Sequence, residues 1–192
     1  MAEPSLEGRR ILVGVGGSVA SFKACEVVTT FRRRGAHVRV AMTQAATRFV
    51  TPTLMRALSG HRVAVDMWEG QEIEAEHGMS HLDLAAWTEQ QVVVAASADL
   101  IARLALGLAG DLVTATALSS SAPLLVAPAM ETAMWEHPAT QANAITLAAR
   151  GVRILGPVHG RLASGDEGAG RMVEADVIVA AVEESLGSSA RG

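Results

Sequence analysis

The stretch RILVGVGGSVASFKACEVVTTFRRRG, Arg10–Gly35, decides the fold. Its opening, Arg10–Val15, is an apolar, β-branched run without polar alternation, as suits a strand buried on both faces. Gly16 and Gly17 break that run, and Ser18 follows as an N-cap candidate. From there to Arg34 the pattern is helical, with a basic last turn and Gly35 as its stop. A buried strand entering a helix through glycines is the first half of a β-α-β unit.

The same alternation continues outward. AHVRVAMT (36–43), HRVAVDM (61–67), QVVVAAS (91–97), APLLVAPA (122–129) and VRILGP (152–157) read as further strands. TPTLMRALSG, ADLIARLALGLAG and HPATQANAITLAARG read as helices, each ending at a glycine. Repeated β-α order predicts an α/β single-domain doubly wound parallel sheet, Rossmann-like or flavodoxin-like, with helices on both faces. One domain over 10–186 is expected, with 1–9 as an N-terminal arm and 187–192 as a disordered tail.

Composition narrows the classes. The net charge of −4 comes without any basic block, so neither nucleic acid nor an anionic membrane is an expected partner. A single cysteine, Cys25, excludes an internal disulfide and suits a reducing compartment. Residues 1–10 carry no apolar leader segment, and Asp99 and Arg103 interrupt the longest apolar stretch. A cytoplasmic protein without a metal is the expectation.

Ligands of such sheets sit beyond the carboxyl ends of the strands. GVGGSVASFK (14–23) fails the dinucleotide fingerprint, because Val19 holds its third glycine position. The acid that would hold an adenosine ribose is also missing from the second strand end, which offers Thr43 instead. A mononucleotide phosphate fits these donors better than a dinucleotide; an ordinary tight turn with a serine cap is the alternative. At the third strand end, Ser97, Ala98 and Asp99 would admit a flat ring, though small residues there also serve helix–sheet packing alone.

Five segments in order, from about Arg10 to Val173, resemble one family, the homo-oligomeric flavin-containing cysteine decarboxylases. GVGGSVASFK matches its Gly-Ser-Ile-Ala-Ala-Tyr-Lys loop, and MTQAATRFV its Thr-x-x-Ala-x-x-Phe segment. MSHLDLAAW matches Ser-His-Ile-x-Leu, and APAMETAMWEHP matches Pro-Ala-Met-Asn-x-x-Met-Trp. GRLASGDEGAGRM matches Gly-x-Leu-Ala-Cys-Gly-x-x-Gly-x-Gly-Arg. The resemblance implies FMN as cofactor, touched by Gly17, Ser18, Thr43, Phe49, Ser97, Ala98, Asp99 and Met130. It also implies a homotrimer or homododecamer with FMN at the subunit interface.

The activity implied is decarboxylation of a cysteine carboxylate, foremost 4′-phospho-N-pantothenoylcysteine to 4′-phosphopantetheine in coenzyme A biosynthesis. Oxidation of the thiol to a thioaldehyde, loss of CO₂ and re-reduction make up the implied route. A peptide C-terminal cysteine is the alternative substrate, and a non-catalytic FMN-binding regulator the alternative role. His81, expected at a loop-to-strand junction, is the residue for proton handling. Glu131, Met134 and Arg171 are expected at the substrate, under a glycine-rich flap at about 159–171 that carries Ser164. His137 reads as an N-cap residue.

Three positions depart from the family pattern. Glu131 stands where it has an asparagine that meets the substrate carboxylate, and Ser164 where it has a proton-donating cysteine. Asp99 replaces another asparagine. An ionised Glu131 repels a substrate carboxylate unless it is protonated or turned towards Arg171 or a backbone donor.

Overall fold

In the computed structural model, residues 5–68 and 80–189 are described. The first strand, β1 (Arg10–Val15), lies at the centre because only a position covered on both faces buries every residue from Ile11 to Val15. A 3-10 turn (Val19–Phe22) leads into α1 (Lys23–Arg33), then β2 (His37–Met42), α2 (Pro52–Ser59) and β3 (Val63–Ala64). The second half runs α3 (Ser80–Trp87), β4 (Gln90–Ala96), α4 (Ala98–Leu106), α5 (Leu112–Ser119), β5 (Leu124–Pro128), α6 (Thr132–Trp135), α7 (Pro138–Ala149) and β6 (Arg153–Ile154). The chain ends with β7 (Val158–Arg161), β8 (Glu167–Arg171) and α8 (Ala175–Ser189).

The six-stranded sheet has the order β3-β2-β1-β4-β5-β6, all parallel. This is the doubly wound sheet expected from the sequence, in the Rossmann-like of its two common orders. Val13 sits in register with Val40 on one side and Val92 on the other. The chain reverses its direction of travel between β1 and β4, and the crevice beyond their carboxyl ends is the switch point.

Alternation along the strands divides the core in two. Ile11, Val13 and Val15 face α1, α2 and α8, where Phe31, Met55 and Ile178 are buried. Leu12 faces the other layer, with Leu84 of α3, Ile101 of α4, Val113 of α5 and Leu147 of α7. Each such side chain, fully buried, contributes roughly 1.5–3 kcal/mol.

Several expectations change. His81 lies not at a loop-to-strand junction but in the first turn of α3. The glycine-rich stretch 159–171, expected as a flap, is built as an antiparallel hairpin of β7 and β8. Residues 5–9 do not project as an arm: Leu6 is buried in the core and its N–H donates to the Arg34 carbonyl (3.0 Å). The expected tail is helical as far as Ser189. The rest of that tail (190–192), residues 1–4 of the arm and Met79 of the Ser-His segment lie outside the described residues. No helix among the described residues is long and apolar enough to cross a membrane.

Candidate active site

The carboxyl edge is assembled from close backbone approaches. The Gly16 N–H donates to the Val94 carbonyl (2.9 Å), which draws the β1 turn against the end of β4. A Cβ on Gly16 would stand 2.3 Å from the Ala95 carbonyl oxygen, and one on Gly17 2.3 Å from the Ala45 Cβ. Only glycine permits the chain to pass there. Ser21, fully buried, ties the turn by donating its hydroxyl to the Gly16 carbonyl (2.7 Å). Beside it, Ser18 Oγ is buried without a hydrogen-bond partner among the described residues. An orphan hydroxyl at the start of a helical turn suits an anion that no protein group supplies.

The end of β4 is strained. Ala95 is fully buried with φ +54°, in the left-handed region that costs a non-glycine residue about 1–3 kcal/mol. Its N–H turns out of the ladder to Met172 Sδ at 3.2 Å. Beyond it Ser97 caps α4, its Oγ accepting from the Leu100 N–H (3.3 Å).

Between these ends and the hairpin lies a cleft of about 580 Å³, within the size range of small-ligand sites. Gly17, Ser18, Phe49, Ser97, Met130, Glu131, Met134 and Arg171, all expected at the site, line it. Thr43 does not line it; its hydroxyl accepts from the Ala46 N–H (3.1 Å) and shapes the loop behind Phe49. Ala98 starts α4 outside the lining, and the Asp99 carboxylate faces solvent, paired with Arg103 at 2.8 Å. His81 is not in the lining of its own chain's cleft. The lining residues left unassigned by the sequence include Val19, Phe22, Lys23, Arg161, Leu162 and Met172. Of these, Val19, Phe22 and Lys23 stand inside the glycine-loop motif itself, which was the available signal. His137 caps α7 as expected, Nδ1 accepting from the Ala139 N–H (3.2 Å).

The hairpin docks on the segment after β5. Met130 N–H donates to the Gly170 carbonyl (3.0 Å), and a Cβ on Gly170 would stand 2.1 Å from the Met130 oxygen. At the turn of the hairpin, Ser164 reaches the same segment. Its N–H donates to Glu131 Oε1 (3.3 Å) and its hydroxyl to Oε2 (3.0 Å). The two departures from the family pattern are therefore bonded to each other. Glu131 turns to a backbone donor, not to Arg171, whose partner is Glu174. Lys23 also holds Glu174 (2.9 Å), and that bond, with the nearby cations, keeps the Glu174 carboxyl below its ordinary range.

A crevice at a switch point with a glycine cradle leaves many flavin and nucleotide proteins open. The deciding observation is that the family model described as Flavoprotein matches residues 2–187. The chain belongs to the Flavoprotein family. The coenzyme A biosynthesis bifunctional protein CoaBC of Escherichia coli K12 is 45% identical over 175 residues, 91% of this chain and 42% of that protein. The chain thus spans under half the length of the curated relatives it matches. Among solved structures, a PPC decarboxylase mutant with serine for one cysteine, complexed with pantothenoylaminoethenethiol, aligns with TM-score 0.83 and 29% identity. That alignment covers 94% of this chain and 99% of the other. The FMN-dependent cysteine decarboxylase SpaF aligns with TM-score 0.79 and 29% identity, over 92% of this chain and 96% of its own.

Proposed function

We propose that this flavoprotein binds FMN and decarboxylates a cysteine carboxylate, with 4′-phospho-N-pantothenoylcysteine as substrate and 4′-phosphopantetheine as product. The observation that carries the reading is the buried, partnerless Ser18 hydroxyl in a glycine cradle at the switch point. It suits one phosphate, and Val19 and the missing ribose acid argue against a dinucleotide. Likeness to CoaBC and to the PPC decarboxylase supports the substrate.

The chain's residues divide the work. Gly17 and Ser18 hold the phosphate of FMN, while Phe49, Ser97 and Met130 flank its ring. Ala98 and Asp99 act through the backbone of their turn, and Thr43 through the loop it shapes. When bound, FMN would supply a reversible two-electron oxidation of the thiol-bearing carbon, so that CO₂ would leave from a carbon next to C=S before the electrons are returned. Met134 and Arg171 bound the substrate, and the hairpin excludes water above it. His81 handles protons from a second copy of the chain. A homotrimer or homododecamer with FMN at the subunit boundary accommodates this, and the exposed Leu106, Leu108 and Leu118 offer apolar surface for assembly.

Replacing Ser18 with alanine separates cofactor binding from folding. FMN affinity is expected to fall about 10- to 100-fold, the range for a lost hydrogen bond to a charged group. The flavin-free variant is expected to melt no lower than the parent, because the hydroxyl it loses has no protein partner. Fluorescence titration with FMN and melts without it check both; unchanged affinity would remove the phosphate site.

The activity is tested anaerobically with the FMN-loaded protein, the phosphorylated thiol and mass analysis. Loss of CO₂ alone, with the flavin oxidised at the end, is the expected complete cycle. Loss of CO₂ and two hydrogens with bleached flavin marks a second reading, favoured by Ser164: the reaction stops at an enethiol. Turnover of a cysteine-ended peptide instead would move the chain towards SpaF. Turnover of neither would leave a flavin-binding regulator.

A further inference from the structure

Three cations line the cleft, Lys23, Arg161 and Arg171. Two of them are already satisfied. Lys23 donates to Glu174 (2.9 Å) and to the Met172 carbonyl (3.3 Å), and Arg171 pairs with the same Glu174. Arg161 differs: among the described residues no hydrogen bond or ion pair joins its side chain, although its backbone is paired in the β7–β8 ladder. Glu167 stands directly opposite in the β7–β8 register, yet no ion pair links the two within 4.0 Å. An exposed guanidinium is thus held over the cleft on a paired strand, with its donors uncommitted.

Depth in the cleft suggests which group it meets. Ala129 and Met172 form a buried floor, whereas Phe22, Met134 and Arg161 stand exposed at the mouth. The reacting thiol and carboxylate go to the floor, beside the cofactor. A group remote from them remains at the mouth. Resting on the proposed decarboxylase reading, we infer that Arg161 binds the phosphate of a phosphorylated thiol substrate and so selects it over a cysteine-ended peptide. Both candidate substrates share thiol and carboxylate, and the phosphate monoester is the anion that tells them apart. A guanidinium matches it with two parallel N–H donors, which a lysine ammonium cannot do.

The test compares phosphorylated and dephosphorylated pantothenoylcysteine on FMN-loaded parent, Arg161→Ala and Arg161→Lys. Arg161→Ala is expected to lower the preference for the phosphorylated compound about tenfold or more, through KM with kcat retained. Arg161→Lys should restore part of it, and raised salt should shrink it in the parent. Titration with 4′-phosphopantetheine supplies a readout without turnover, with the same loss expected. Equal losses on both compounds would mean that Arg161 meets the carboxylate or merely supports the hairpin, and would overturn the inference. So would an unchanged preference. Arg161-dependent binding without turnover would sustain the phosphate site while sinking the proposed activity. A parent that ignores the phosphorylated ligands and consumes the peptide would sink both.

Discussion

His81→Asn is expected to cut turnover about 10²- to 10⁴-fold, the usual contribution of a positioned proton-transfer group. FMN affinity and the thermal midpoint should stay as in the parent, because His81 is only half-buried and lines no part of its own chain's cleft. The reason to expect so large an effect is topological. α3 feeds directly into the amino end of β4, so it runs antiparallel to the strands. Its first turn therefore stands at the level of the carboxyl edge, where the cleft opens, but in the helix layer of α4, α5 and α7. In the proposed oligomer, a histidine at that height on the outside of one copy would face the cleft of another. Mixing makes this decisive. Ser18→Asp sets a carboxylate against the phosphate and should empty its own cleft while keeping His81. Refolded together, His81→Asn and Ser18→Asp chains should regain activity that neither has alone. Mixtures as inactive as their parts would show that His81 does not act across copies.

The fold was legible where hydrophobic period and stop signals agree. Arg10–Gly35 and the runs ending in β4 and β5 announce themselves as apolar strands flanked by glycine, proline or serine. α3 was hidden because SHLDLAAW spreads apolar residues around the helix and joins an apolar strand after only Thr88 and Glu89. In α5 and α8, LVTATALS and ADVIVAAVEESLGSS carry β-branched residues whose intrinsic preference is for strands; packing against the sheet overrides it. The strands of the hairpin were not legible, since its glycines, which let β8 lie on the Met130 backbone, also erase the apolar alternation of a strand.

Site residues followed the same division. Gly17, Ser18, Ser97 and Met130, which the family resemblance named, stand at or just after strand ends, and they line the cleft because the sheet fixes where strands finish. Asp99 could not, since an i,i+4 pair with Arg103 turns it outward, and only the helix phase reveals that. Nor could the pairing of Glu131 with Ser164 be read from positions 33 residues apart. Both departures look damaging singly, a carboxylate where an amide is expected and a hydroxyl where a thiol is. Together they make a bridge from the segment after β5 to the turn of the hairpin.

That bridge carries the second large prediction. Glu131→Ala and Ser164→Ala are each expected to lower kcat/KM about five- to tenfold, and the double variant no further. Glu131→Ala removes both hydrogen bonds and Ser164→Ala only the hydroxyl one, so once Glu131 is alanine the second change finds nothing left to break. The loss should lie mainly in KM, because the hairpin turn over the cleft is held by Ser164 N–H and Oγ, both spent on Glu131. A physical readout separates holding from chemistry. Protease cleavage within 162–166 should quicken in each single variant, and in the double no more than in Glu131→Ala, with or without substrate turnover. Additive losses in the double variant would mean that Glu131 and Ser164 act independently, one on the substrate and one as an acid. Glu131→Gln sharpens the distinction, since its carbonyl still accepts from Ser164 while its charge is gone. If the charge of Glu131 hinders a substrate carboxylate, the glutamine chain should bind substrate more tightly than the parent; if the bridge is what matters, it should fall between parent and alanine.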